Sequence, residues 1–208
     1  MILWQAYVSF ALLLFLLLSP LVRGVPFRSL LLTCCLFAGF IPVDGLGLAA
    51  YLRSFTDDLA ITTLVALGWL TLRRLDRIKP ANQGEHTRVW AMVSLMAVIL
   101  YPATLGLTYV DPYRWGFNPH PMIVITGALA LILFCTRQFL ATVMLSGAAL
   151  GFALRVKASE NYWDYLIDPV IALFCCAALL VSATRALSHS KANPATLFPV
   201  FRLPRGRQ

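Results

Sequence analysis

Charge is what this chain has least of. Of its 208 residues, 12% are Asp, Glu, Lys or Arg, while 60% are hydrophobic and the mean hydropathy is +0.77. A soluble domain carries about 25% charged residues. Half that supply cannot cover a water-facing surface, so the composition excludes an ordinary soluble fold and points to an integral membrane protein. There is no length left for a large soluble domain beside the apolar segments.

Other absences narrow the function. No Asp, Glu, Lys, Arg or His stands in the middle of an apolar run, which disfavours an ion-coupled pump, because such pumps keep ionisable groups deep in the membrane. The three histidines, His86, His120 and His189, flank apolar runs and do not pair within one, so a bis-His haem site is excluded. There is no His-Glu-x-x-His, Gly-x-Ser-x-Gly, P-loop or Gly-x-Gly-x-x-Gly. Asp44-Gly45 matches the opening pair of the CDP-alcohol phosphotransferase signature, but the Ala-Arg and the later paired aspartates are missing. No repeat of 20–50 residues is evident.

Cysteine is present without a cysteine motif. Cys34, Cys35, Cys135, Cys175 and Cys176 all lie in apolar runs, without a Cys-x-x-Cys or a neighbouring His. Adjacent cysteines bond to each other only with backbone strain. They read as small apolar packing residues, and no metal or cofactor is expected.

What the chain does have is apolar runs. Seven are legible: Ile2 to Val22, Ser29 to Phe40, Leu59 to Leu72, Val89 to Val110, Pro121 to Thr136, Gln138 to Leu154 and Asp168 to Ala186. A bilayer core takes about 20 apolar residues per helix, so the second and third runs are short. The fifth and sixth, parted only by Arg137, could instead form a re-entrant hairpin. The first run lacks a basic leader and a small-x-small cleavage site, and reads as an uncleaved span rather than a signal peptide.

Orientation follows from the cations, which favour the cytoplasmic ends of spans. Numbering the gaps alternately puts thirteen of the seventeen Lys and Arg on one side: Arg23, Arg28, Arg73, Arg74, Arg77, Lys79, Arg88, Arg137, Arg185, Lys191, Arg202, Arg205 and Arg207. Arg53, Arg114, Arg155 and Lys157 fall on the other. The expected fold is therefore an all-α, polytopic transmembrane bundle of about seven spans over residues 1–187, N-terminus outside, with a basic cytoplasmic tail at 188–208. The net charge of +8 is explained by this sorting and by anionic headgroups. Nucleic acid is not an expected partner.

The acids sort the opposite way. Only Asp76 and Glu85 lie on the cytoplasmic side, and the other seven of nine lie outside. Three outer segments hold them. Residues 42–58 contain a turn at Pro42 and Gly45, then a short interfacial helix from Leu46 to Phe55 with Leu48, Tyr51, Leu52 and Phe55 on one face; Thr56 or Asp57 is expected to cap the third span. Residues 109–121 form a stiff aromatic loop in which Asp111 and Arg114 could pair across the turn. Residues 155–169 carry Tyr162, Trp163 and Tyr165. Here Asp164 and Asp168, four apart, would share a helix face, Asp168 would cap the last span ahead of Pro169, and Arg155 and Lys157 would neutralise the acids.

The candidate substrate-binding rim is thus Asp44, Arg53, Asp111, Arg114, His120, Asp164 and Asp168, with Glu160 beside it. Carboxylates with Arg and His suit phosphate or sugar handling if the loops converge; scattered interface residues are the simpler account if they do not. Gly147 and Gly151 form a Gly-x-x-x-Gly with Ala148, Ala149 and Ala153 nearby, a close-packing helix face. The expected function is an accessory or lipid-handling component of envelope biogenesis in the bacterial inner membrane. Its expected partners are membrane lipids, with another membrane protein as a further candidate. The alternatives are a membrane-embedded enzyme acting on a lipid-linked or phosphorylated substrate at the outer leaflet, and a facilitative transporter.

Overall fold

The computed structural model describes residues 4–79 and 83–192. Most of the basic tail at 188–208 therefore lies outside the described residues. The described residues are mostly helical, with one short hairpin and connecting loops, in keeping with an all-α fold. Helix α1 (Trp4–Leu18) tightens into a 3-10 turn at Ser19–Leu21, and Gly24, at φ 91°, reverses the chain into α2 (Val25–Ala38). Strands β1 (Pro42–Val43) and β2 (Leu46–Gly47) pair antiparallel, Pro42 opposite Gly47 and Val43 opposite Leu46. Asp44 (φ 45°) and Gly45 (φ 83°) form their two-residue turn. Asp-Gly suits it because both central residues need positive φ. The helix expected over Leu46–Phe55 follows as α3 (Leu48–Thr56), starting two residues later because Leu46 and Gly47 pair as β2.

Helices α4 (Ile61–Arg74), α5 (Gln83–Thr104), α6 (Pro119–Cys135), α7 (Phe139–Ala153), a single turn α8 (Trp163–Leu166) and α9 (Pro169–Ala192) complete the order, with a 3-10 segment at Pro112–Phe117 between α5 and α6. Helices α4, α5, α7 and α6 end in one arrangement, a Schellman closure. In α5 the Leu107 N–H bonds Pro102 O at 2.8 Å and the Gly106 N–H bonds Ala103 O at 2.9 Å. Gly106 takes the left-handed conformation there (φ 74°). The other three closures place Asp76, Arg137 and Arg155 in that conformation, at φ 53°, 57° and 49°. A non-glycine residue there costs about 1–2 kcal/mol, and the two satisfied carbonyls offset it. The fourth apolar run corrects accordingly: the helix stops at Thr104 rather than Val110, because Pro102 and Gly106 close it, and begins earlier, at Gln83.

Helix α1 packs on α2, α3 and α4; α4 packs on α7; α7 packs on α6; and α5 packs on α9. The α4–α7 contact uses the predicted close-packing face. A Cβ added at Gly151 would sit 3.0 Å from Ile61 Cγ1, and one at Gly147 would sit 3.2 Å from Val65 Cγ2. The larger core joins Ile61, Val93, Met144, Leu145, Tyr162 and Tyr165; a smaller one joins Ala11, Phe15, Cys35 and Leu75. Outside these cores the helices present bare apolar side chains, Leu17, Val98, Val124, Leu131, Leu173 and Leu180 among them, more than a water-facing surface carries. Cys35 and Cys175 are buried, and all five cysteines are free thiols.

Among the described residues, three helical stretches are long and apolar enough to cross a membrane: Trp4–Leu21, Gly84–Thr104 and Pro169–Ala186. Val25–Ala38, Pro119–Cys135 and Phe139–Ala153 are apolar but shorter. At about 1.5 Å per residue they reach roughly 21–26 Å against a hydrocarbon core of about 30 Å.

Candidate functional site

The polar chemistry gathers at one end of the bundle, where α4 and α9 begin and α5 and α7 end. Asp168 anchors it. Its Oδ1 accepts the Ile171 N–H at 2.9 Å, the expected cap of α9. Its Oδ2 accepts the Ala60 N–H at 2.8 Å and the Thr63 hydroxyl at 2.5 Å. One buried carboxylate therefore caps two helices, and the positive ends of both helix dipoles favour its charge. This corrects the expected cap of α4. Asp57 instead ends α3 with its backbone at φ 55°, and the cap arrives from a residue 108 positions later in the chain. Thr62, alongside, donates to Leu166 O at 2.8 Å.

Lys157 fills the space between the strands of loop. Its ammonium donates to Asp58 O at 2.6 Å, Asp164 O at 2.8 Å and Leu59 O at 3.3 Å. Burial pushes its pKa down, against the opposing pull of Asp164, Asp58, Asp168 and Asp57. Asp164 accepts from the Ser159 hydroxyl and from Tyr113 Oη at 3.2 Å. Burial pushes the Tyr113 phenol up, and the Asp164 charge adds to it. Arg53 pairs with Asp58 Oδ2 at 2.8 Å, while Asp58 Oδ1 is buried without a partner.

A second set of bonds fastens the loops. Asn161 Nδ2 donates to Tyr113 O at 2.9 Å, and Asn161 Oδ1 accepts the Trp163 N–H at 2.9 Å. Trp163 Nε1 donates to Pro112 O at 2.8 Å, and the Tyr162 N–H to Gly116 O at 3.0 Å. Gly116 is required here: a Cβ would overlap Asn161 Oδ1 and crowd the Trp163 ring. Tyr165 Oη donates to Lys157 O at 2.9 Å, and its phenol, like that of Tyr162, is pushed up by burial.

These groups enclose a cavity of about 440 Å³. Arg53, Asp57, Asp58, Lys157, Ser159, Asp164 and Asp168 supply its polar wall, and Leu100, Tyr101, Ile167 and Pro169 its apolar one. Tyr101 and Pro169 also line a second hollow, a furrow of about 430 Å³ between α5 and α9. The rest of the furrow is apolar: Ala97, Val98, Pro102, Leu105, Leu107, Ala172, Leu173 and Cys176. A polar cavity and an apolar furrow thus share a wall.

The predicted rim divides. Arg53, Asp164 and Asp168 come together in the cavity. Asp44 sits exposed in the hairpin turn. Asp111 is exposed and accepts the N–H of Tyr113 in its own loop at 3.1 Å. Arg114, His120 and Glu160 are exposed and outside the cavity wall. The expected Asp111–Arg114 pair does not form; among the described residues the ion pairs are Arg28–Asp76 and Arg53–Asp58. Asp164 and Asp168 do not share a helix face, because α8 stops at Leu166 and Ile167 is extended. Asp58, Lys157, Tyr101, Tyr113 and Ser159 also line the cavity, without belonging to the predicted rim. Lys157 did carry a signal, as the one amine in an acidic segment.

Asp168 accepts three donors, Asp164 two hydroxyls, and the Lys157 ammonium meets three carbonyls. No family model, curated protein or solved structure matches the chain. Fold and site together define a mostly helical chain with, among the described residues, three helices long and apolar enough to cross a membrane, and a polar cavity that shares Tyr101 and Pro169 with an apolar furrow.

Proposed function

We propose that this chain is an integral, lipid-handling protein of the bacterial inner membrane, serving envelope biogenesis as an accessory rather than catalytic component. It crosses in about seven spans, with the N-terminus and the acidic end outside and the basic loop and tail in the cytoplasm; the thirteen-to-four sorting of Lys and Arg supports this orientation. The shorter helices fit if the bilayer thins locally or flanking residues snorkel.

One observation carries the lipid reading: Tyr101 and Pro169 belong both to the polar cavity and to the apolar furrow. The cavity's volume lies in the usual range for ligand sites, roughly 300–1,000 Å³, and its four carboxylates against Arg53 and Lys157 favour a lipid headgroup that bears an amine. Its chain then lies along α5 and α9. Native mass spectrometry of the protein in mild detergent tests this. Wild type retains phospholipid, and Val98→Trp, at a furrow position that is 65% exposed, loses it. A folded Val98→Trp protein that keeps the wild-type lipid complement overturns the reading.

The enzymatic alternative, action on a lipid-linked or phosphorylated substrate, draws on Asp58 Oδ1, a buried acceptor with no hydrogen-bond partner among the described residues. It requires turnover of such a substrate that Asp58→Asn abolishes.

A further inference from the structure

The opposite end of α4 holds a second, differently charged hollow. A cavity of about 460 Å³ is lined by Arg28, Arg73, Arg74 and Asp76 with Leu70 and Ile78. Three guanidiniums against one carboxylate make it basic, and Asp76 is a distant partner, 3.9 Å from Arg28 Nη1 and 69% exposed. Arg28 is held in place, donating through Nε to Val22 O at 3.1 Å and through Nη1 to Arg74 O at 2.9 Å. Arg74 is exposed, and its guanidinium bonds no described residue.

This basic cavity adjoins an apolar chamber of about 450 Å³ inside the bundle. Leu70 lines both. Arg73, in the basic wall, donates to His86 Nε2 at 2.7 Å, and His86 lines the chamber. Because Arg is always a donor, His86 must accept on Nε2, so this histidine is neutral with its proton on Nδ1. The chamber runs beside α4 from Thr63 to Leu70, roughly 10 Å at about 1.5 Å per residue, between α1, α4, α5, α7 and α9. Its wall is Leu13, Leu16, Ala66, Leu67, Trp90 and Phe174 with little polar surface.

We propose that the basic cavity and this chamber form one site for an anionic phospholipid, the phosphate held by Arg28, Arg73 and Arg74 and an acyl chain threaded beside α4. Arg presents the forked donors that phosphate oxygens accept. The adjoining hydrocarbon-lined chamber selects a lipid over free phosphate. The basic cavity lies at the other end of α4 from the acidic-end cavity, and the chamber stops at Thr63, which bonds Asp168 in that cavity's wall.

The test measures lipid adducts on detergent-solubilised full-length protein, with added phosphatidylglycerol, phosphatidylcholine or inorganic phosphate. Wild type takes phosphatidylglycerol about tenfold more tightly than phosphatidylcholine. Arg74→Gln loses most of that preference, and Arg74→Lys keeps part of it. Ala66→Phe, which obstructs the chamber, weakens both lipids, while Val98→Trp leaves this preference unchanged. Equal binding of the two lipids by wild type, or an undiminished preference in Arg74→Gln, overturns the assignment. Stabilisation by inorganic phosphate equal to that by phosphatidylglycerol overturns the lipid and leaves a phosphate site.

Discussion

Replacing Asp168 with Ala removes the acceptor that ties the starts of α4 and α9 together. The Ala60 N–H, the Thr63 hydroxyl and the Ile171 N–H all lose their partner in a region that excludes water; Asp168 is 6% exposed. A lost helix cap costs about 0.5–2 kcal/mol, and a buried donor left unsatisfied about 1–3 kcal/mol. The three losses share one carboxylate and do not add fully, so about 4 kcal/mol is expected. For a chain of this size, 1 kcal/mol moves Tm by about 2–4 °C, which places Asp168→Ala roughly 8–16 °C below wild type. Asp168→Asn keeps one acceptor but turns an amide N–H₂ toward a donor, and falls about halfway. Thermal melting followed by fluorescence-detected size exclusion in detergent reads both shifts. An Asp168→Ala protein melting within about 2 °C of wild type, no more than about 1 kcal/mol, refutes the double cap as the fastening of this end.

Gly116→Ala forces a methyl onto Asn161 and Trp163; overpacking of this kind costs about 1–3 kcal/mol, and a lowered melting temperature with faster proteolysis of the 105–120 loop is expected. Lys157→Met leaves Asp58 O, Leu59 O and Asp164 O without their shared donor and destabilises by about 2–3 kcal/mol, measured by the same melting assay. Tyr113, Tyr162 and Tyr165 have raised folded-state pKa values. The folded state then binds more protons than the unfolded one above the usual tyrosine range, so the stability these phenols contribute is complete below about pH 10 and is lost as pH rises further. Melting scans from pH 8 to 11 are expected to show that fall, and Tyr113→Phe to blunt it.

Much of the architecture was legible because apolar runs and their breaks are local properties. Every apolar run contains an observed helix, the Asp44-Gly45 turn forms where the dipeptide demands positive φ, and Gly147 and Gly151 meet α4 as their spacing implied. Asp168 ahead of Pro169 read correctly as a cap of α9. Its second duty, capping α4, was hidden because that contact joins residues 108 positions apart, and no local pattern encodes it. The same limit explains the rim. Arg53, Asp164 and Asp168 converge because Asp168 bonds the start of α4 and Lys157 ties Asp58 O and Leu59 O to Asp164 O, contacts between segments about 100 positions apart. Asp111, Arg114 and His120, in and beside the 112–117 segment, stay exposed. Arg137 and Arg155 escaped notice as helix terminators because glycine is the usual residue at that position, and here carbonyl satisfaction compensates for a charged residue.

Lipid occupancy of the acidic-end cavity is most directly tested by where a lipid touches the chain. Wild-type protein in bilayers containing a phospholipid with a diazirine on its acyl chain can be irradiated, digested and mapped by peptide mass. A lipid seated as described places the crosslinks on the furrow segments of α5 and α9, residues 97–107 and 169–176, and Val98→Trp removes them. Crosslinks spread evenly over the exposed faces of α1, α6 and α9, and unaffected by Val98→Trp, contradict it.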